Sequence, residues 1–287
     1  MTAEEFAHRR WHPDFDASYL APLPASKPLV MSAHQPIPSY LWGSTLLLGN
    51  FDGMHVGHRE LLSAARRHAA LLGAPLGMMS CEPHPKQFFE PEIEPFRLSS
   101  ADAKTMICSQ LGVDLLFMPE FNAGFAGQTP QQFIADTLVG RLCVKAVVVG
   151  EDFRFGIGRS GAVADLRRFG KESNFDVLVV PNRVVEGGRI SSTRIRSWIR
   201  SGDLEKVNTS MRDAWITKIM AGEDGLVTFE KFTVLPPAGR YAVSVWNDDG
   251  RRSVCLKLDL TSERTAKIEA VALKPGLHLI TDWRKCE

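Results

Sequence analysis

The sequence predicts an α/β fold, a doubly wound parallel sheet followed by a small antiparallel β domain. Two observations carry this expectation. Five near-continuous aliphatic runs between residues 45 and 181 are each followed by a longer amphipathic stretch, the pattern of a parallel sheet buried on both faces. After Gly202 the helical period gives way to short β-branched, partly alternating runs separated by turn sequences.

The elements follow in chain order. Six prolines fall between Pro13 and Pro38, beside Trp11, Tyr19, Tyr40 and Trp42, and neither helical nor strand period is visible there. Residues 1–44 therefore read as an extended lead-in held by a few aromatics. TLLLG (45–49) is the first buried strand and HRELLSAARRHAALLG (58–73) the first helix. LGMMSC (76–81) is the second strand, and after a proline-rich loop SSADAKTMICSQLG (99–112) supplies a helix. DLLFMP (114–119) pairs with TPQQFIADTLVGRL (129–142), KAVVVG (145–150) with AVADLRRFGKES (162–173), and DVLVVP (176–181) with SSTRIRSWIRSG (191–202). These make a first domain over 45–208. In 209–287, ITKIM, LVTFEKFTVL, RYAVSVW, SVCLKLDL, AKIEAVAL and HLITDW read as antiparallel strands, with turns at NDDG (247–250) and KPG (274–276).

Composition narrows the function classes. Among 287 residues, 34 Lys and Arg stand against 33 Asp and Glu, a formal net charge of +1. That balance lacks the broad basic field that grips a nucleic-acid backbone and the polybasic run of a membrane anchor, so any phosphate recognition is local. Five cysteines without CxxC spacing argue against a zinc site or a disulfide framework and read as reduced thiols. No stretch approaches the ~18 apolar residues of a spanning helix, and the start has no apolar signal core, so a cytoplasmic location is expected.

In an open α/β sheet, ligands bind outside the carboxyl ends of the strands, which directs attention to four loops. Gly49-Asn50-Phe51-Asp52-Gly53-Met54-His55-Val56-Gly57-His58 lies between the first strand and the first helix. Its glycines let the backbone approach a ligand, and the helix N-terminus favours an anion. His55 and His58, three apart, can face one point above that terminus and stabilise phosphate charge; the alternative is a tight turn with two surface histidines. It is not a Walker A loop, since no Gly-Lys-Ser/Thr is present.

The second loop, Gly150-Glu151-Asp152-Phe153-Arg154-Phe155-Gly156-Ile157-Gly158-Arg159-Ser160-Gly161, can receive a flat ring under Phe155, with Asp152 placed to accept an N–H or meet a metal. Alternatively it is a flexible crossover. In Arg189-Ile190-Ser191-Ser192-Thr193-Arg194-Ile195-Arg196, hydroxyls open a helix; arginines added at its positive end are unfavourable unless an anion arrives. Cys81-Glu82-Pro83-His84-Pro85, with Phe88 and Phe89 beyond, is a stiff loop beside flat apolar surface, although such phenylalanines are commonly core.

These four strings, in this order from about Leu46 to Asn208, resemble the FMN adenylyltransferase domain of the prokaryotic riboflavin kinase/FAD synthetase family. The resemblance implies a Rossmann-like nucleotidyltransferase that moves AMP from ATP onto FMN with Mg²⁺, giving FAD and pyrophosphate. It implies His55, His58 and Arg196 as catalytic, and Gly49, Asn50, Phe51, Gly57, Gly150, Asp152, Arg189, Ser192 and Thr193 as the ATP side, Asp152 also near the metal. Pro83, His84, Pro85, Phe89 and Phe155 would enclose the flavin. Expected partners are these small molecules only, with neither nucleic acid nor membrane.

The chain also departs from that family. Where bifunctional members carry GRPY it reads Thr209-Ser210-Met211-Arg212-Asp213-Ala214-Trp215, and no PTAN follows. Leu235-Pro236-Pro237-Ala238-Gly239-Arg240-Tyr241-Ala242-Val243 does match a family strand. Residues 209–287 thus read as an eroded riboflavin-kinase-like barrel without kinase chemistry. Cys81 stands where many members have an aromatic residue. The competing readings are a non-catalytic flavin- or nucleotide-binding protein, and an adenylyltransferase acting on a different phosphorylated acceptor.

Overall fold

The computed structural model describes residues 28–32, 35–182, 184–185, 188–212, 215–246, 252–268 and 273–286. The lead-in up to residue 27 and the NDDG turn lie outside the described residues. The chain divides into two compact units: the residues up to Asn50 with Arg59–Phe89 and Cys108–Asn182, and Phe51–His58 with Glu90–Ile107 and the residues from 183 onward. Among the described residues no helix is long and apolar enough to cross a membrane.

The first unit is built on six parallel strands, β1 (Leu29–Met31), β2 (Thr45–Leu48), β3 (Leu76–Met79), β4 (Leu115–Phe117), β5 (Ala146–Gly150) and β8 (Asp176–Val180). The numbers β6 (Arg154–Phe155) and β7 (Gly161–Ala162) belong to a small hairpin in the loop after β5. The sheet order is β1-β4-β3-β2-β5-β8. Every side chain of β2, β3 and β4 is buried, which is why these runs show no alternation in sequence. Successive strands run one way from β2 to β4 and the other way from β5 to β8, so the order reverses between β2 and β5. That reversal places the switch point at the loops beginning Gly49 and Gly150.

The extended lead-in of the sequence reading shows no strand period, yet it contributes a short strand: β1 pairs in parallel with β4, Leu29 opposite Leu115 and Met31 opposite Phe117. Three residues between prolines are too short to show a period, and an edge strand needs only one partner. Met31, Ile37 and Leu41 are buried in the core of this unit.

The second unit contains a closed barrel of order β11-β12-β15-β14-β13-β16. Its strands are β11 (Thr217–Ala221), β12 (Leu226–Phe229), β13 (Gly239–Trp246), β14 (Arg252–Leu260), β15 (Thr265–Ile268) and β16 (Gly276–Lys285), while β9 (Val184–Val185) and β10 (Gly188–Arg189) form a separate hairpin. All six expected strands are present. Alternation is plain in β13, where Tyr241, Val243 and Val245 point into the core. Trp215 stacks on Trp283 at 5.4 Å, and Tyr241 meets Trp283 edge-on at 5.6 Å. The same core takes in Ile195 and Ile199 of the helix Ser192–Ser201, and Leu204, Val207 and Met211 of the helix Leu204–Met211. Compactness therefore does not follow the chain order of the expected 45–208 and 209–287 domains, because Phe51–His58, Glu90–Ile107 and the residues from 188 to 212 cluster with the barrel.

Candidate active site

The turn after β2 owes its shape to two backbone positions. Phe51 is buried with φ +40°, and Gly53 has φ +79° with no room for a side chain: a Cβ there would lie 2.8 Å from Met211 Cε and 3.0 Å from Leu98 Cδ1. The chain then enters the helix Val56–Leu72 with His55 just before it and His58 in its first turn. Their rings stack with centroids 3.7 Å apart and planes 16° from parallel. Gly57 permits this, since a Cβ would sit 3.2 Å from the His55 ring. Phe51 meets His58 edge-on at 5.1 Å.

Hydrogen bonds set the protons on these rings. His58 Nδ1 donates to the Gly53 carbonyl at 2.6 Å, and the His58 backbone N–H donates to His55 Nδ1 at 3.3 Å. The neutral His55 therefore carries its proton on Nε2, and the neutral His58 keeps Nε2 as an acceptor. Burial drives the His58 pKa down to about 4, against the pull of the Gly53 carbonyl and Asp52. Burial likewise pushes His55, 5% exposed, well below its ordinary value, helped by the charge of His58, Arg189 and Arg196. Both rings are neutral near pH 7 in a field made positive by neighbouring cations.

Asp52 organises the rest. It is 2% exposed; its Oδ1 accepts from the N–H groups of Leu98 (2.9 Å) and Ser99 (3.1 Å), and Oδ2 accepts from Arg196 Nη2 at 2.6 Å. Its backbone carbonyl accepts from Ser192 Oγ at 2.9 Å. Arg196 also donates from Nε to the Phe96 carbonyl at 2.6 Å, leaving Nη1 without a hydrogen-bond partner among the described residues. Arg97 lies 3.6 Å from Asp52 Oδ1, and the buried Lys104 acts on the His58 ring. Ser191 caps the following helix, its Oγ accepting from the Arg194 N–H, while Thr193 and Arg189 are exposed. The second unit thus gathers His55, His58, Phe51, Gly57, Arg189, Ser192, Thr193 and Arg196.

Asp52, Arg97 and Lys104 are not among the candidates that the sequence offers. Asp52 carries one signal: an acidic residue in a loop otherwise arranged for an anion is misplaced unless a cation from elsewhere meets it, and ISSTRIR supplies that cation.

The remaining candidates lie in the first unit. Asn50 accepts from Ser80 Oγ at 2.7 Å through its carbonyl, and Gly49 precedes it at the end of β2. Gly150 closes β5, with Asp152 two residues on. Pro83 and Pro85 flank His84, which is buried; its Nδ1 accepts from the Lys86 N–H at 3.1 Å and so fixes the start of the short helix Pro85–Phe89. Phe89 is 66% exposed and belongs to a run of edge-to-face rings with Phe88, Phe121 and Phe125. Phe155 differs from expectation. At 7% exposure it stacks on Phe153 at 5.7 Å and packs on Phe133 at 5.5 Å. Gly161, across the β6–β7 hairpin, gives it that place, since a Cβ there would come within 2.9 Å of the ring. Among the described residues no group of three or more His, Cys, Asp or Glu gathers to hold a metal by protein ligands alone.

A parallel sheet whose strand order reverses between β2 and β5 defines a Rossmann-like fold. The model of the family described as FAD synthetase matches residues 38–194, and the chain belongs to that family. Bifunctional riboflavin kinase/FMN adenylyltransferase of Escherichia coli (strain K12) is 38% identical over 162 residues, 56% of this chain and 52% of that protein. The Haemophilus influenzae protein of the same name is 36% identical over 167 residues, 58% and 54% of the two chains. That of Listeria monocytogenes is 30% identical over 189 residues, 64% and 60%. The aligned part of this chain spans little more than half the length of these curated relatives. A crystal structure titled as a macrolide-efflux protein from Streptococcus pneumoniae shares the fold, with a TM-score of 0.71 and 23% identity over 88% of this chain and 89% of that one.

Proposed function

We propose that this protein is an FMN adenylyltransferase, moving AMP from ATP onto FMN to give FAD and pyrophosphate, and that it does not phosphorylate riboflavin. The observation that carries the reading is the stacked His55–His58 pair in one unit with an Asp52-held Arg196, in a member of the FAD synthetase family. An FMN phosphate oxygen attacks the α-phosphorus of ATP. The bond from that phosphorus to the bridging oxygen of the β-phosphate breaks, and pyrophosphate leaves with the electron pair. The nucleophile is already anionic, so no general base is needed, and the task is alignment and neutralisation of charge.

His55 Nε2–H and Arg196 Nη1 are donors for the polyphosphate; Arg189, Ser192 and Thr193 belong to the same side. His58, neutral before ATP arrives, gains basicity beside the phosphates. Asp152 would hold Mg²⁺ brought in on ATP, one carboxylate being usual when phosphates supply the other oxygens, and the ion would supply charge neutralisation for the leaving pyrophosphate. Pro83, Pro85 and the exposed Phe89 serve the flavin, with His84 shaping their loop and Phe155 supporting it from the core.

The test is incubation of the pure protein with ATP, Mg²⁺ and FMN, and separately with ATP, Mg²⁺ and riboflavin, followed by chromatography. FAD in the first and no FMN in the second is expected. FMN from riboflavin at a comparable rate would remove the idea of an eroded kinase barrel. Binding of FMN and ATP without FAD would favour a non-catalytic binder, and ATP binding without FMN binding a different acceptor.

A further inference from the structure

The barrel supplies none of the residues assigned above to the reaction, yet the segment between β12 and β13 grips the stretch of chain that holds Arg196. The Phe232 carbonyl accepts from the N–H groups of Phe96 (2.8 Å) and Arg97 (2.7 Å), and the Val234 N–H donates to the Arg97 carbonyl at 3.0 Å. Arg97 and Thr233 thereby form a parallel bridge. Further along, Asp102 pairs with Lys218 of β11 at 2.6 Å, and Lys218 also reaches Glu230 at 3.1 Å. The other side of the same stretch holds the reaction's arginine: Leu98 and Ser99 donate to Asp52, Asp52 accepts from Arg196, and Arg196 donates to Phe96. Phe96–Asp102 is therefore bonded to the barrel and to the Asp52–Arg196 pair at once.

We propose that the barrel is a brace for the phosphate site, acting through Phe96–Asp102, with Asp52 as the positioning residue that passes the constraint to Arg196. The proposal rests on the adenylyl-transfer reading. A long arginine side chain that must be ordered when ligand binds weakens binding; one fixed beforehand by two hydrogen bonds does not bear that loss. Asp52 also offsets part of the positive charge of Arg196 and Arg97 in a buried place, where unpaired cations are costly. A barrel without kinase motifs would be kept for this reason.

Two full-length variants test the brace away from the machinery. Lys218→Met removes the ion pairs to Asp102 and Glu230, and Val234→Pro removes the N–H that the Arg97 carbonyl accepts. In each, ATP should bind about tenfold more weakly by calorimetry, with FMN affinity unchanged, and the KM for ATP should rise with little change in kcat. Combined with Asp52→Asn, neither should add a further loss, because both act through Asp52. Losses that add independently, or unchanged ATP affinity, would overturn the brace; if Val234→Pro does not fold, Lys218→Met decides. A wild-type chain that binds no ATP would sink the adenylyl-transfer reading, yet the brace is still read from amide exchange at Leu98 and Ser99. That exchange should quicken about tenfold in the variants. Unchanged exchange overturns the brace whatever the ligand.

Discussion

His55 and His58 stack at 3.7 Å, so a charge on one ring opposes a charge on the other, and burial adds to that cost. For His58 the folded value is about 4 against an ordinary 6.5. Between those values the unfolded chain binds a proton that the folded chain refuses, so stability rises with pH across the window and is lost as pH falls from 6.5 toward 4. The loss amounts to at most about 3 kcal/mol. Urea unfolding from pH 7 to pH 4 should show it in the wild type, and His58→Asn, which has no group to protonate, should show a shallower dependence. Equal dependence in both would mean that this ring is not held neutral by burial. In the reaction, His58→Ala should lower kcat by ~10²–10³-fold while circular dichroism stays native, the size expected for loss of a preorganised ring that takes up a proton beside the phosphates and stabilises their charge. Normal turnover would return the pair to the role of a turn.

At the scale of elements, legibility followed length and burial. The helices Val56–Leu72, Val163–Ser173 and Ser192–Ser201 run for ten or more residues with one apolar face, and the strands β2 to β5 are apolar at nearly every position, so both patterns stand clear of noise. Three-residue β1, the two-residue β6 and β7, and the helix Leu204–Met211 leave no such mark in the sequence, because pairing and packing determine them more than local pattern does. The phenylalanines show the same limit. Phe89 and Phe155 are chemically identical in the sequence, but the hairpin partner Gly161 draws Phe155 inward while Phe89 ends a short exposed helix. Phe155→Ala should therefore cost about 3–5 kcal/mol of stability through the cavity it leaves. Phe89→Ala should leave stability nearly unchanged and weaken FMN by the ~0.5–1.5 kcal/mol typical of an aromatic contact. Urea melts and FMN titrations of the two variants separate these effects; a stable Phe155→Ala that loses FMN would restore the flavin wall to Phe155.

For the whole molecule, the order of residues along the chain and their grouping in space part company. The motif loops were legible because glycines, histidines and hydroxyls are needed locally, whereas Asp52 draws its meaning from Leu98, Ser99 and Arg196, partners 46 to 144 residues away. No local period encodes such a link. Its consequence is that every phosphate-side group bonded through Asp52 falls in the second unit, and every flavin-side candidate in the first. Each ligand should thus leave its own mark on backbone amide exchange. ATP should slow exchange within 51–58, 96–104 and 189–196 together, because the Asp52 network ties those three stretches into one cooperative opening. FMN should slow exchange within 82–89 and 121–125, where the Phe121 N–H donates to the Glu82 carbonyl and the ring run begins. Protection by ATP confined to the histidine turn, with 96–104 unaffected, would show that the Asp52 network opens piecemeal; FMN protection of the ATP stretches alone would reverse the assignment of the two sets of residues.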